Sequence, residues 1–367
     1  MIYVAGISIA LFIAAVLINK KGKSKADFIL FVWMLIMALH LYLFYENFNV
    51  DRYKTSWLLG IELPMPLFHG IFLYYYVSSV TNQLPKRKWT IWLHFTPITC
   101  LYHYLLEFFS LSDAEKIDVY LQGGAPYATF TMVNYMLMLA YGVVYVVWST
   151  MLLRKHKTNI ESQFSALEEI NLKWLQLLTF GIGGIWIIIF LTNQVAYIFI
   201  GVSIFIILIG FFGIQQRDIF SGKRPILEKN SIDETKKVKY SKSGLTDKVS
   251  NDTYAKLMHL IKEDVVYRKP ELSLSDLATT LKIHPNYLSQ IINEKEGKNF
   301  FDFINTYRIE EFKRMIAQKE NHQYTLMALA YDCGFNSKSS FNRYFKKHTG
   351  ETPSQFFKSI LINSGSD

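Results

Sequence analysis

ALAYDCGFNSKSSFNRYFKKHTGETP, residues 328–353, is the stretch of sequence that decides the fold of the C-terminal part of this chain. Its apolar residues recur at helical spacing on both sides of a Gly-Phe pair, which predicts two short helices joined by a tight turn, the helix-turn-helix arrangement. The residues that cap, turn and end these helices are Thr325, Gly334, Ser337, Gly350 and Pro353. The residues predicted to form the core are Leu329, Ala330, Phe335, Phe341 and Phe345.

The same pattern occurs about 50 residues earlier in the chain. Ser273 and Asp276 form a capping box at the start of a helix predicted over 274–281. Pro285 suits the first position of a second helix, which Gly297 ends. A long helix over 300–318 then joins the two units. An amphipathic helix from Thr253, which Pro270 is predicted to stop, precedes them, and its apolar stripe is Tyr254, Leu257, Met258, Ile261 and Val265.

Together, these two units resemble the DNA-binding domain of the AraC/XylS family of transcription regulators. The Gly-Phe turn, the Phe-x-Arg-x-Phe-Lys helix and the Gly-x-x-Pro exit within 328–353 are similar to the family signature, and 274–308 is similar to its other half. The resemblance covers about residues 253–360 and implies sequence-specific binding to double-stranded DNA. The positions that depart from the family pattern are His284, Phe312, Phe356 and Phe357.

Residues on the exposed side of each second helix are the candidate contacts to DNA. Asparagine and lysine can pair with base edges in the major groove, whereas other cations position the domain on phosphates. The predicted base-contacting residues are Asn286, Tyr287, Ser289, Gln290, Lys338, Ser339 and Asn342. The predicted phosphate contacts are Arg343, Lys346 and Lys347. Leu288, Ile291 and Ile292 are predicted to pack inward.

The first 214 residues have a different composition. Residues 1–220 hold 15 Lys+Arg and 12 Asp+Glu, whereas the shorter 221–367 holds 24 and 18. Because a membrane span needs roughly 20 mostly apolar residues, seven spans are predicted, at about 1–18, 26–45, 57–80, 89–109, 127–152, 172–192 and 195–214. The fold class is therefore all-α, a seven-helix transmembrane bundle followed by an AraC-type domain with two helix-turn-helix units.

Charges between the spans predict their orientation. Clusters of Lys and Arg follow the first, third and fifth spans, at 20–25, 86–88 and 154–157, and the alternate connections hold few. By the positive-inside rule, the N-terminus is expected outside and the DNA-binding domain in the cytoplasm. The family resemblance implies that the membrane is the inner membrane of a bacterium. The predicted domains are a sensor domain (1–214), a cytoplasmic linker (215–250), the DNA-binding domain (251–360) and a tail (361–367).

Ionisable residues within spans indicate function because they are costly in lipid. A pocket for a cation or small extracytoplasmic ligand is predicted from Glu46, Glu62, His103 and Glu107. Pro64 and Pro66 are predicted to break the third helix beside Glu62 and free backbone carbonyls there. The alternative is that these are interfacial residues near helix ends. His40, His69 and His94 are predicted to form interhelical hydrogen bonds rather than bind metal.

Neither Cys100 nor Cys333 belongs to a metal-ligand cluster, and no cofactor or metal is predicted. The leading hypothesis is a membrane-anchored one-component transcription regulator that responds to an unknown signal, acts as a homodimer and has no enzyme activity. The alternative is a transporter or membrane enzyme whose DNA-binding tail reports its activity, although the sequence contains no nucleophile constellation and no phosphate-binding loop. In a third hypothesis, proteolysis releases the DNA-binding domain. Residues 164–175 are predicted as an interfacial helix or an extension of the sixth span.

Overall fold

The computed structural model describes residues 2–48, 56–87, 89–165, 172–192, 194–215 and 247–364. Within these ranges the regular structure is α-helical and 3-10 helical, with one isolated antiparallel bridge between Phe164 and Ser273. The all-α prediction is confirmed. The chain divides into two compact units, one of residues 1–155 and 172–228, the other of residues 156–171 and 229–367.

The first unit contains nine of the described helices, the seventh of which continues into the second unit. They are α1 (Ile2–Asn19), α2 (Lys25–Phe48), α3 (Pro66–Val80), α4 (Thr90–Tyr104), α5 (Leu106–Phe109), α6 (Asp113–Leu121), α7 (Ala128–Glu161), α8 (Leu172–Leu191) and α9 (Val195–Gln215). One apolar cluster joins α1, α2, α3, α8 and α9, and a second joins α3 to α4, α5 and α7. Helix α3 therefore contributes to both of these clusters.

Four helices in the described part of the chain are long and apolar enough to cross a membrane. They are Ile2–Asn19, Lys25–Glu46, Ala125–Glu161 and Trp174–Leu191, and a shorter apolar helix covers Ala196–Phe211. Within the predicted third span (57–80) and fourth span (89–109), helices α3 and α4 have 15 residues each and are shorter than these spans. The count of seven spans stays a prediction.

Two prolines explain why α3 begins late. The chain forms 3-10 and turn structure over 56–65, and the helix starts at Pro66. Proline has no N–H to donate and is favoured in the first turn of a helix. Two carbonyls beside Glu62 accept hydrogen bonds from side chains of other helices: Ile61 O accepts from Tyr102 Oη at 2.7 Å, and Leu63 O accepts from Asn134 Nδ2 at 2.9 Å.

The predicted interhelical hydrogen bonds of the three histidines are also confirmed. His40 Nδ1 on α2 lies 2.9 Å from His69 Nε2 on α3, and Trp33 Nε1 donates to His69 Nδ1 at 3.3 Å. His94 Nδ1 on α4 lies 2.5 Å from the Tyr145 hydroxyl on α7. These imidazoles therefore connect neighbouring helices of the first unit.

The second unit carries seven further helices. They are α10 (Asp247–Lys262), α11 (Leu274–Thr280), α12 (Pro285–Glu296), α13 (Phe300–Ile316), α14 (Leu326–Asp332), α15 (Lys338–Thr349) and α16 (Pro353–Ser364). One core packs α10 to α12 against the first part of α13, and the other packs α14 to α16 against its second part. Helix α13 thus connects two small helical cores.

Helix α10 ends at Lys262, well before Pro270, where the sequence predicted its end. Val265 adopts a left-handed backbone (φ 43°), and a 3-10 turn follows at Val266–Arg268. Glu263 and Asp264 stand where the helix dipole is negative, so acidic side chains disfavour further helix there. Most of the predicted linker (215–250) and part of the helix predicted near 164–175 lie outside the described residues.

Candidate DNA-binding surface

The first helix-turn-helix unit consists of α11, a short turn and α12. Ser273 Oγ accepts from Asp276 N at 3.2 Å, and the Asp276 carboxylate accepts from Ser273 N at 3.0 Å, so the predicted capping box is confirmed. Pro285 occupies the first turn of α12 and Gly297 ends it with φ 65°. The turn places Lys282, which is not glycine, at φ 56°.

His284 occupies the N-cap position of α12. Its Nδ1 accepts a hydrogen bond from Asn286 N at 3.2 Å. This residue departs from the family pattern and still performs the capping role.

Polar residues at the start of α12 lie outside the first core. Asn286 and Tyr287 are exposed, and Ser289 and Gln290 are half-buried. Gln290 Nε2 donates to Glu294 Oε1 at 2.7 Å, which occupies one of its amide donors. The predicted inward residues Leu288, Ile291 and Ile292 are all buried, so the predicted division of this helix into two sides is confirmed.

The second unit consists of α14, a turn and α15. Thr325 Oγ1 accepts from Ala328 N at 3.1 Å, and Ser337 Oγ accepts from Ser340 N at 3.2 Å, as predicted for the two caps. Gly334 has φ 95°. The five residues predicted to form its core are all buried: Leu329, Ala330, Phe335, Phe341 and Phe345.

Gly334 meets two requirements at once. Its backbone is left-handed, and a Cβ at this position would lie 2.6 Å from Tyr267 O and 2.8 Å from Arg268 O. Real side chains do not approach carbonyl oxygens so closely, so only glycine fits without a backbone shift. The turn of the second helix-turn-helix unit therefore packs directly on the backbone that precedes the first helix-turn-helix unit.

The exposed side of α15 carries the predicted DNA contacts. Lys338, Ser339 and Asn342 are exposed at its start, and Arg343, Lys346 and Lys347 are exposed farther along. Among the residues that the structure describes, neither Arg343 nor Lys346 has an ion pair. Lys347 Nζ instead lies 2.9 Å from Asp302 Oδ1 and 5.6 Å from the centroid of the Tyr344 ring.

Two other departures from the family pattern are explained by packing. Phe312 is completely buried, with its ring centroid 4.7 Å from that of Phe341 and 5.6 Å from that of Phe345. Phe356 on α16 packs 5.5 Å from the same Phe345 ring. Aromatic pairs at such distances add to the stability of a core, so Phe312 and Phe356 both strengthen the core that contains α14 to α16.

Arg308 is a residue whose role the sequence did not predict. It is 1% exposed, its Nε donates to Tyr267 O at 2.7 Å, and its Nη2 donates to Lys269 O at 2.7 Å and to Pro270 O at 3.4 Å. Burial lowers the pKa of Arg308 to about 9. Its spacing of four residues from the core residues Ile304 and Phe312 was a signal, because it places a charge on the buried side of α13.

A charged cluster on the same helix accompanies this residue. Glu311 is buried, and its carboxylate pairs with Arg314 on α13 at 2.8 Å and with Arg268 of the preceding 3-10 turn. The hydrogen bond from Arg314 and the pairing with Arg268 hold the pKa of the Glu311 carboxyl below its usual range. Ion pairs and hydrogen bonds thus join α13 to the segment before the first unit.

The predicted ligand-pocket residues have different environments. Glu62 is 4% exposed and accepts from Tyr120 Oη at 2.6 Å, whereas Glu46 is half-buried and His103 and Glu107 are exposed. The sequence did not predict Tyr120, which lies on α6. Ser112 and Glu115 form the capping box that starts this helix, and that local pattern could have revealed the helix that carries Tyr120.

Comparison with known proteins locates a similar domain in the C-terminal part of the chain. A family model described as a helix-turn-helix domain matches residues 277–359. An uncharacterized HTH-type transcriptional regulator of Bacillus subtilis, YobQ, is 29% identical over 109 residues, which are 30% of this chain and 42% of the relative. Another such regulator, from Staphylococcus aureus, is 36% identical over 86 residues, 23% of this chain and 11% of the relative.

A solved structure of a protein of unknown function from Listeria innocua is 30% identical, over 29% of this chain and 94% of that chain, with a TM-score of 0.26. The matches to the two regulators span less than half of the length of either relative. The C-terminal part of this chain contains a helix-turn-helix domain similar to those of HTH-type transcriptional regulators, which agrees with the AraC-type resemblance of its sequence.

Proposed function

We propose that this chain is a membrane-anchored one-component regulator that binds specific double-stranded DNA through both helix-turn-helix units. The observation that carries the proposal is the combination of two capped units, each with an exposed polar helix start, and four helices apolar enough to cross a membrane. Helix starts of this kind enter the major groove in many DNA-binding proteins. A regulator with this organisation needs no separate sensor protein.

The base-reading residues of the proposal follow from exposure and chemistry. Asn286 and Asn342 can each accept from and donate to adenine, and Lys338 favours guanine. Ser339, Ser289 and Gln290 add polar contacts, and Tyr287 suits a sugar or a thymine methyl. Arg343, Lys346 and Lys347 contact phosphates, which position the domain without reading sequence.

The anchoring part of the proposal places the N-terminus outside and the DNA-binding domain in the cytoplasm. Tethering two copies raises the effective concentration of one domain near the other, so a homodimer would favour paired sites without new contacts. A signal changes DNA occupancy only if it binds two arrangements of the membrane helices unequally. Two reporters test this topology, one active only in the cytoplasm and the other active only outside it. The first should be active when it is fused after residue 22, and the second when it is fused after residue 112.

The signal site of the proposal is the segment Gly60–Leu63. Tyr120 Oη accepts from Gly60 N at 2.9 Å, so hydrogen bonds from α4, α6 and α7 all reach this segment. A cation or small ligand that changes the charge of Glu62 would therefore act on three helices. Glu62→Gln should alter expression from a target promoter several-fold, whereas Asp113→Asn, at an exposed position on α6 outside the predicted pocket, should not. Equal reporter output from both variants and the unmodified chain would remove this site.

The experiment that tests the function is selection of bound genomic fragments by the full-length protein in lipid nanodiscs, at two salt concentrations. Because phosphate contacts weaken with salt while base contacts keep their preference, one recurring site should be enriched at both concentrations. A library of random sequence is the control. Failure to enrich any fragment above that control contradicts sequence-specific regulation.

A further inference from the structure

The segment that follows α7 lies against the DNA-binding domain within the second unit. Ser165 N donates to Leu272 O at 3.2 Å, and Leu274 N donates to Gln163 O at 2.8 Å. These two hydrogen bonds flank the bridge between Phe164 and Ser273. They are the pattern of a non-hydrogen-bonded antiparallel pair. Residues 163–165 are called the docking strap below.

Ser165 makes the most polar contacts of the docking strap, and it is 2% exposed. Its carbonyl accepts from Arg308 Nη1 at 3.2 Å and from Asn305 Nδ2 at 3.0 Å. Its hydroxyl accepts from Arg308 Nη2 at 3.1 Å and donates to Leu272 O at 2.6 Å. The strap therefore satisfies two of the nitrogens of a buried guanidinium, which would be costly to leave without partners.

Arg308 is also where the two helix-turn-helix units meet. Its other hydrogen bonds go to the backbone of 267–270, which leads into the first unit. Its Cζ lies 5.9 Å from the centroid of the Phe335 ring in the turn of the second unit. Gly334 in that turn packs on Tyr267 O. Contacts of the strap with Arg308 thus act on both units at once.

The docking strap is connected to α7 by a single residue, Ser162. Helix α7 has 34 residues and is among the helices apolar enough to cross a membrane. Ser162 N donates to Thr158 O at 3.1 Å and so extends the helical hydrogen bonding. Because only one residue separates them, a shift of α7 along its axis is expected to displace the docking strap as well.

We propose that the docking strap is a brace through which the membrane helices regulate DNA binding. When residues 163–165 are docked on Asn305, Arg308 and Leu272, they hold the two helix-turn-helix units at the spacing that reads a two-part site. When α7 withdraws them, the junction at Arg308 loosens and the two units no longer bind together. This inference rests on the proposed function and adds its mode of regulation.

A pair of matched alanine variants tests the brace in the full-length protein in nanodiscs. Ser165→Ala removes a hydroxyl that serves Arg308 and Leu272, whereas the hydroxyl that Ser162→Ala removes donates to Asn159 O within the same helix end. The ligand is the DNA site that the unmodified protein selects, intact or with one half scrambled. Ser165→Ala should weaken binding to the intact site by about 5- to 10-fold and to the half site by less than about 2-fold. Ser162→Ala should change neither.

A disulfide tests the docking itself. Residues of a non-hydrogen-bonded pair have Cα atoms about 4.5 Å apart, within the range a disulfide spans. Phe164→Cys with Ser273→Cys, in a Cys100→Ser background, should therefore cross-link on oxidation. Each protein is compared before and after oxidation, so the altered cap at position 273 is common to both states. Adding Ser165→Ala and then oxidising should restore the lost affinity for the intact site.

Three results would overturn the brace. They are failure of the cross-link to form, loss of binding to the intact site when it forms, and equal binding by Ser165→Ala and Ser162→Ala. Failure of the proposed function has a different signature, because the unmodified chain would then select no site at all. The yield of the cross-link would still decide in that case whether the strap docks.

Discussion

In the turn of the first helix-turn-helix unit the left-handed residue is Lys282, at φ 56°, and in the turn of the second it is Gly334, at φ 95°. Lys282 is exposed to solvent, whereas Gly334 is buried against Tyr267 O. An L-residue in this conformation costs roughly 1–2 kcal/mol, which a surface turn tolerates. The first turn is therefore only a connection, while the second is part of the junction between the units.

The two second helices also differ in charge. Helix α12 contains one basic residue, Lys295, and two acidic residues, Glu294 and Glu296, whereas α15 contains four basic residues and none that is acidic. Phosphate contacts by cations supply most of the salt-dependent attraction to DNA. The difference indicates that α15 provides most of the electrostatic affinity and that α12 contributes polar contacts to bases.

The largest effect should come from the turn comparison. Gly334→Ala places a methyl group against two carbonyl oxygens and forces a left-handed alanine, which should cost about 3 kcal/mol or more. Hydrogen exchange of the amides of α14 and α15 in the full-length protein measures it as lost protection.

The matched control is Lys282→Ala, which also leaves a Cβ at a left-handed position but adds no contact. Its effect should be within about 0.5 kcal/mol. Lys282→Gly should stabilise the first helix-turn-helix unit by up to about 1 kcal/mol because it relieves the backbone strain. Equal loss of protection in Gly334→Ala and Lys282→Ala would contradict the different roles assigned to the two turns.

Base reading should give the next largest effect. Lys338→Ala or Asn342→Ala should each cost roughly 1–3 kcal/mol at the selected site. Asn286→Ala should cost a similar amount, whereas Gln290→Ala should cost less, because its amide already donates to Glu294. Titration of the full-length variants against the selected site and a scrambled one measures these differences. Equal losses on the two DNAs would show that these side chains contact phosphates instead.

Much of the compact unit that contains both helix-turn-helix units could be predicted, because the sequence signals for its helices are local. Caps at Ser273, Thr325 and Ser337, and a helix end at Gly297, depend on residues only a few positions apart. The buried sides of α12 and α15 followed from helical periodicity. Pro64 and Pro66 likewise predicted the break of the helix before Pro66, where α3 begins. Such features need no knowledge of distant parts of the chain.

The contacts at Arg308 could not be predicted, because they join residues far apart in sequence. Ser165 and Arg308 are separated by 143 positions, and a serine after a helix has no pattern that identifies its partner. The second requirement at Gly334 is hidden for the same reason, since it arises from a carbonyl at Tyr267. In the compact unit of α1 to α9, the predicted fourth span (89–109) is longer than α4. This helix ends at Tyr104 within an apolar run, where no proline or glycine marks its end.

The smallest effect concerns the charge difference between α12 and α15. Lys346→Ala removes an exposed cation without an ion pair among the described residues, so the slope of log affinity against log salt should fall by about 1. Lys295 Nζ donates to Asn251 Oδ1 at 2.7 Å on α10, so Lys295→Ala should leave the slope nearly unchanged. Lys347→Ala should fall between them, because Asp302 already partly neutralises this cation. A full unit lost at Lys295 would place a phosphate on α12 and remove the electrostatic asymmetry between the two units.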